Sequence, residues 1–81
     1  MSDKAYIEVR TKIGHNFKKL RKSKKLSLRK VEALTGIDHS WIGKFEKGQV
    51  NFEIDTLFKL SSGLKIYLKD LVDFTHSFVE D

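Results

Sequence analysis

Hydrophobic residues recur at every third or fourth position along most of the chain, which is the spacing of amphipathic α-helices. Ile13, Phe17 and Leu20 share one face of a first predicted helix, over roughly residues 8–24, and lysines occupy its opposite face. The pattern is helical almost throughout. It predicts an all-α fold, with five helices in a single compact domain over residues 1–81.

Capping residues divide the middle of the chain into two short helices. Ser27 is a strong N-cap for a second helix, which ends at Gly36 because glycine adopts the left-handed conformation at little cost. Asp38 is an N-cap of the same kind for a third helix, which ends before Gly48. Two short helices joined by a tight, glycine-containing turn meet the requirement of a helix-turn-helix, whose second helix enters the major groove of DNA.

Two further helical segments follow. The fourth is predicted from the apolar positions Ile54, Leu57, Phe58, Leu60 and Leu64. Asn51 is its candidate N-cap and Gly63 marks its end. The fifth segment lies between Ile66 and Phe78, and its apolar content is high for the last stretch of so small a domain.

Charge is distributed unevenly between the two parts of the chain. Residues 1–50 contain 13 Lys and Arg against 5 Asp and Glu, whereas residues 51–81 contain 3 against 6. A basic half favours a polyanion, because neutralised phosphates release condensed counterions. The lysines that follow Phe17 are equally typical of a solvated helix face, so charge alone does not decide the function.

The absence of cysteine excludes a disulfide framework and a thiolate metal site. The first residues are polar and mixed in charge, and no apolar run approaches the length of a signal peptide or a membrane span. His15, His39 and His76 have no metal-ligand spacing, and no glycine loop cradles a phosphate. We therefore expect a cytoplasmic protein that is not an enzyme, with no cofactor, metal or membrane partner.

One long segment resembles a known family. It reads LSLRKVEALTGIDHSWIGKFEKGQVNFEIDTLFKLSSGL, with IGHNFKKLRKSKK before it. Over residues 13–73 the chain is similar to the phage-repressor and Cro-like (XRE-type) helix-turn-helix family, and within it to small controller regulators of restriction-modification systems. The resemblance implies a repressor-like fold and a transcriptional regulator that binds double-stranded DNA. It further implies a homodimer on an operator with inverted-repeat half-sites.

The resemblance also assigns roles to individual positions. The side chains expected at base edges are His39, Ser40 and Lys44. Those expected at phosphates are Ser27, Arg29, Trp41, Lys47, Gln49 and Asn51. Trp41 has a second interpretation, as a core residue packed on Phe45. Arg21 and Glu46 are expected to form a partly buried ion pair between the first and third helices.

Three residues depart from the family pattern. Leu28 replaces a glutamine that commonly helps to hold a phosphate, which puts that contact in doubt. Glu32 replaces a small residue where the second and third helices cross, so we expect it to tilt outward or to find a basic partner. Phe52 replaces a proline, and the loop that contains it is expected to differ in shape.

The apolar C-terminal segment is the candidate dimer interface, through Leu68, Leu71, Val72, Phe74 and Phe78. The other interpretation is that these residues close the core of their own chain. A second function class competes for the same segment, because similar small regulators act as antitoxins that bind a protein partner as well as DNA. The oligomeric state would separate the two functions, since a monomer with an exposed apolar patch needs a partner.

Overall fold

A computed structural model describes residues 3–79 of the chain, and their secondary structure is entirely helical. The five helices are α1 Asp3–Ser23, α2 Leu28–Thr35, α3 His39–Glu46, α4 Ile54–Leu64 and α5 Leu68–Leu71. The predicted fold class and the order of the five helices are confirmed. Within the described residues, no helix is both long and apolar enough to cross a membrane.

α1 begins earlier than the sequence predicts. The expected start near residue 8 is wrong, because the buried face continues towards the N-terminus through Val9 and Ala5. These two residues precede Ile13 by four and eight positions and therefore lie on the same side of the helix. The additional turns form one wall of a cavity described below.

The helix-turn-helix is capped as expected. The Ser27 hydroxyl accepts a hydrogen bond from the backbone amide of Lys30 at 3.0 Å, which satisfies a free donor at the start of α2. Gly36 ends α2 with φ of 77°, a conformation that glycine adopts without a Cβ penalty. Asp38 then starts α3 by accepting from the amides of Ser40 and Trp41 at 3.0 and 3.1 Å. The turn therefore takes only three residues.

The core lies between α3 and the other helices, and Phe45 is at its centre. The Phe45 ring meets Phe17 edge-on at 5.6 Å and Phe52 edge-on at 5.1 Å between centroids. The largest fully buried apolar side chains are Phe17, Phe45, Ile42, Leu60, Leu71 and Val31. These residues come from all five helices, and Phe52 of the loop before α4 packs on them. The core therefore holds α3 in place against every other helix.

α1 and α3 approach each other closely at two glycines. A Cβ added to Gly14 would lie 2.2 Å from the carbonyl oxygen of Phe45, and one added to Gly48 would lie 2.4 Å from Thr11 Oγ1. Both distances are far below van der Waals contact, so only glycine fits at these positions. The backbone of α1 therefore rests directly against the end of α3.

α4 differs from its prediction in its cap and in its buried face. Its N-cap is Glu53, without a side-chain cap hydrogen bond, so the role expected for Asn51 as the cap is wrong. The Asn51 side chain instead accepts from a terminal guanidinium nitrogen of Arg10. Ile54 and Phe58 are exposed although the pattern placed them in the core, because only the neighbouring face packs inward.

The fifth helix is much shorter than predicted. α5 ends at Leu71, and residues 72–79 form an irregular tail. Valine, aspartate, phenylalanine, threonine, histidine and serine follow in succession, and all are weaker helix formers than leucine or lysine. Long-range contacts hold the tail in its place: Lys12 Nζ donates to the Thr75 carbonyl at 2.6 Å, and the Ser77 amide donates to Glu8 at 3.4 Å.

Candidate nucleic-acid interface

α3 has a buried side and an outer side. Ile42 and Phe45 are completely buried, whereas Ser40 and Lys44 are exposed and His39 is half-buried. Ser40 and Lys44 are four residues apart and lie one turn above the other. The three predicted base-contacting residues thus lie on the outer side of α3, with His39 and Ser40 in its first turn and Lys44 in its last. Their contact with bases stays a prediction.

Glu32 connects α2 to the start of α3 through His39. The Glu32 carboxylate accepts a hydrogen bond from the His39 backbone amide at 2.8 Å and lies 2.7 Å from its Nδ1. The expectation that Glu32 finds a basic partner is confirmed by this contact. The hydrogen bond from the His39 side chain, followed by that from its amide, lowers the pKa of Glu32 below its ordinary value.

This contact determines what His39 can offer to a ligand. When Nδ1 carries the proton that faces Glu32, a neutral imidazole leaves Nε2 as an acceptor, and a charged imidazole makes it a donor. Nε2 is therefore the ring nitrogen of His39 that this contact leaves available to a ligand. Glu32, Asp38 and His39 also come within 4.8 Å of one another. Their proximity follows from the hydrogen bonds by which Glu32 and Asp38 bind the first backbone amides of α3.

Ser40 is held by the residue that caps its own helix. Its hydroxyl is hydrogen-bonded to the Asp38 carboxylate, which can only accept. The Ser40 side chain, then the Trp41 amide, lowers the pKa of Asp38 below its ordinary value. Because the hydroxyl hydrogen is used within the chain, Ser40 presents its lone pairs outward and is suited to accept from a base amino group.

Trp41 packs on the core through one face of its ring. The indole is stacked on Phe45, with 5.6 Å between centroids and an interplanar angle of 12°. The predicted core contact is confirmed. Trp41 is nevertheless only half-buried, so part of the side chain lies at the surface beside Ser40. Its contact with a phosphate stays a prediction.

The predicted phosphate contacts lie at two places in the chain. Ser27 and Arg29 are exposed at the start of α2, where backbone amides are free of helical partners. Lys47, Gln49 and Asn51 are exposed in the connection between α3 and α4. Together with the outer side of α3, these residues form one class of exposed polar side chains. Asn51 differs from the others because its side chain accepts a hydrogen bond from Arg10.

The predicted ion pair between Arg21 and Glu46 is formed and buried. Arg21 Nε donates to Glu46 Oε2 at 2.7 Å, and the second terminal nitrogen donates to Oε1 at 3.0 Å. The remaining terminal nitrogen donates to the Leu26 carbonyl at 2.8 Å. One guanidinium therefore joins α1, α3 and the turn before α2, and it fixes the angle at which α3 is presented.

The candidate interface residues of the C-terminal segment differ in how deeply the fold buries them. Leu71 is completely buried, so its assignment to an interface is wrong and it closes the core of its own chain. Leu68 and Phe74 are half-buried against the core. Val72 and Phe78 are exposed, Phe78 to 85%.

Sequence reasoning missed the exposure of two apolar residues of α4 and of one just before α5. Ile54, Phe58 and Tyr67 are 64%, 59% and 73% exposed. At 100° per residue, Ile54 and Phe58 lie roughly 90° around α4 from the face formed by Leu57, Leu60 and Leu64. A helical-wheel plot of α4 that separates these two faces would have found Ile54 and Phe58.

Comparisons with known proteins agree with this architecture. Residues 17–71, more than half of the chain, match the HTH_3 family model, which describes a helix-turn-helix. The HTH-type transcriptional regulator y4dJ of Sinorhizobium fredii is 32% identical over 66 residues, which cover 82% of this chain and 86% of that protein.

Two solved structures are similar in both fold and sequence. The restriction-modification controller protein C.AhdI from Aeromonas hydrophila superposes with a TM-score of 0.72 at 34% identity, over 75% of this chain and 92% of that one. An HTH_3 family transcriptional regulator from Vibrio cholerae gives a TM-score of 0.78 at 33% identity, over 82% of this chain but 37% of that longer one. The chain therefore belongs to the XRE-type (HTH_3) helix-turn-helix family, a class of DNA-binding transcriptional regulators that are not enzymes.

Proposed function

We propose that this regulator acts in the cytoplasm as a homodimer, with α3 of each subunit in the major groove of one half-site of an inverted repeat. The observation that carries the proposal is the outer side of α3, where His39, Ser40 and Lys44 lie within two turns of one another. A two-fold dimer would place its two copies of α3 about 34 Å apart, one turn of the DNA helix.

The three outer side chains have complementary roles in this proposal. Lys44 is exposed and can donate to guanine O6 and N7. Ser40 accepts from a base amino group, because its own proton is directed to Asp38. His39 contributes Nε2, whose role changes with its charge. Together they would distinguish base pairs at a few adjacent positions of each half-site.

Phosphate contacts on both sides of the groove would hold α3 in register. The start of α2 offers free amides together with Arg29, and the positive end of the helix dipole favours an anion there. Lys47 and Gln49 offer donors beyond the end of α3. These groups carry no sequence information, but they set position and orientation on the duplex.

The dimer interface is proposed on the exposed apolar residues of α4 and of the segment around α5. The set consists of Ile54, Phe58, Tyr67 and Val72. Exposed apolar side chains in this number favour a protein–protein contact over solvent. If they form the interface, Phe58→Ser converts the dimer to a monomer in sedimentation equilibrium, whereas Leu34→Ser, at a similarly exposed residue of α2, leaves it dimeric.

The test of DNA recognition is selection from a random pool of duplex DNA, with the affinity followed against salt. The proposal predicts an enriched inverted repeat and a steep salt dependence. Lys44→Ala is then expected to relax the preference at one position of each half-site. Lys59→Ala removes the same charge from α4 and should leave the preference unchanged. Absence of any enriched sequence would contradict the proposal.

A second candidate function is an antitoxin-like regulator that binds another protein as well as DNA. The same exposed apolar residues of α4 favour it, since a partner protein would bury them as effectively as a second copy. Sedimentation of the purified chain separates the two functions. A dimer supports self-association, and a monomer at micromolar concentration supports a separate partner.

A further inference from the structure

A cavity of about 630 Å³ lies on the side of α1 that faces the C-terminal tail. Its walls come from the first turns of α1, from the loop that contains Phe52, and from residues 76–79 of the tail. The lining is mainly apolar, with Ala5, Val9, Phe52, Phe78 and Val79. Its volume falls within the range of sites for small organic ligands, which are mostly apolar with a few polar groups.

Among the described residues that line the cavity, one side chain carries a permanent positive charge. This residue is Arg10, and a terminal nitrogen of its guanidinium donates to Asn51. Arg10 Nε is buried and has no hydrogen-bond partner among residues 3–79. Because Nε is out of reach of solvent, a ligand in the cavity meets the terminal nitrogens of the guanidinium, and an anionic acceptor there gains a charge-assisted hydrogen bond.

The third wall of the cavity is held by polar contacts that do not involve Arg10. Lys12 donates to the carbonyl of Thr75 and also pairs with Glu8 at 2.9 Å. Glu8 in turn accepts from the Ser77 amide, and the hydrogen bond from Lys12 lowers its pKa. Glu8, which contacts this wall through Ser77, is therefore paired with a cation of the same chain.

We propose that this cavity binds a small apolar carboxylate. The carboxylate would accept a charge-assisted hydrogen bond from a terminal nitrogen of Arg10, and the hydrocarbon part would cover Val9, Phe52 and Phe78. The positive charge selects an anion, and the size and apolar lining select a ligand of modest length. A second copy of the chain is the competing occupant, but the proposed dimer surface lies on α4 and around α5 instead.

Binding at this site would reach the DNA-contacting surface through Asn51. Arg10 holds the Asn51 side chain, and Asn51 is one of the predicted phosphate contacts. A carboxylate that draws the guanidinium towards itself changes this hydrogen bond and hence the position of Asn51. This consequence rests on the proposed function, whereas binding itself does not.

The test is titration of the ¹⁵N-labelled chain with octanoate, with 1-octanol as the uncharged control, in the absence of DNA. We expect saturable binding of one octanoate per chain, with amide shifts concentrated at Val9, Phe52 and Phe78. Arg10→Met should weaken octanoate binding about tenfold or more, the effect of losing a charged hydrogen bond, and leave octanol binding unchanged. Lys59→Met removes the same charge elsewhere and should change neither.

A second variant keeps the proposal testable if Arg10→Met fails to fold. Phe78 is mostly exposed, so Phe78→Ala should fold normally and should weaken octanoate and octanol alike. No saturable binding, shifts confined to other residues, or equal affinity of wild type and Arg10→Met for octanoate would overturn the proposal. So would closure of the cavity by a second copy, seen as the same shifts on raising the protein concentration alone.

The effect on DNA is measured separately, with the enriched duplex and the octanoate concentration that saturates the cavity. A change in DNA affinity for the wild type that is absent in Arg10→Met supports the route through Asn51. An unchanged DNA affinity would show that octanoate does not act on DNA binding through Asn51, and the octanoate site itself would be unaffected by that result. Failure of the ligand-free chain to bind any DNA sequence would instead remove the proposed function.

Discussion

The carboxylate of Glu32 accepts from the His39 amide at 2.8 Å and lies 2.7 Å from Nδ1 of the same residue. One side chain of α2 thus binds both the backbone and the imidazole of the first residue of α3. The contact holds the start of α3 and orients the His39 ring. Glu32 itself stands where the second and third helices of this family usually cross at a small residue.

The contribution of Glu32 to folding depends on pH. Because the pKa of Glu32 is lower in the folded chain than its ordinary value of 4.5, its contribution is present above pH 4.5 and is lost as the pH falls through the folded pKa. We expect Glu32→Gln to be less stable than the wild type at pH 7 and to converge with it on acidification. Urea denaturation from pH 7 to pH 3 checks this, and a constant difference over that range would contradict it.

The ion pair between Arg21 and Glu46 stabilises the fold in a way that depends on both partners. Arg21→Met leaves a buried carboxylate without its cation and is expected to cost about 3–5 kcal/mol. The double variant Arg21→Met with Glu46→Leu removes both charges and should regain much of this loss. Urea denaturation of both variants at neutral pH measures the difference. A single variant within about 0.5 kcal/mol of wild type would refute the assigned role.

Gly14 is expected to tolerate no side chain. Gly14→Ala places a methyl group 2.2 Å from the Phe45 carbonyl oxygen, so α1 must move away from α3 at a cost of about 1–3 kcal/mol. Gly43→Ala is the matched control, since its Cβ meets Leu28 Cδ1 at an ordinary 3.6 Å. The control should be stabilised by about 0.5–1 kcal/mol, as expected for alanine in a helix. Thermal unfolding of the two variants should therefore shift in opposite directions.

Lys47 provides a test of the phosphate contacts that is independent of sequence readout. If it neutralises one phosphate per subunit, Lys47→Ala weakens binding to all duplexes alike. It also reduces the slope of log affinity against log salt by about 0.9 for each phosphate that is no longer neutralised. Fluorescence anisotropy at several salt concentrations measures this slope. A loss restricted to one base position would assign Lys47 to base contact instead.

Local signals were sufficient for the helix-turn-helix. The caps at Ser27 and Asp38 and the left-handed Gly36 depend on a few neighbouring residues, and each is where the sequence predicts it. The Arg21–Glu46 pair spans 25 positions and was predictable only through the family resemblance. The distances between the two side chains confirm the ion pair, which neither the charge pattern nor the helical period could have established.

The errors occur where distant parts of the chain decide the structure. The tail after Leu71 is apolar enough for a helix, but its path depends on contacts with Glu8 and Lys12 more than 60 residues away. The exposure of Ile54 and Phe58 depends on how α4 is rotated against the core, which an apolar count does not specify. The link from Arg10 to Asn51 likewise joins residues that only the fold brings together.

In the proposed function, the two sides of α3 divide the tasks of folding and recognition between different residues. Ile42, Phe45 and Glu46 face inward and determine whether the chain folds, whereas Lys44 and Ser40 face outward and make no core contact. Exchange of Lys44 therefore leaves the free energy of unfolding nearly unchanged, whereas His39 and Ser40 also hold the start of α3 through Glu32 and Asp38. If Lys44 reads the operator as proposed, a new operator preference can arise by a single substitution there, with the scaffold of the other four helices kept intact.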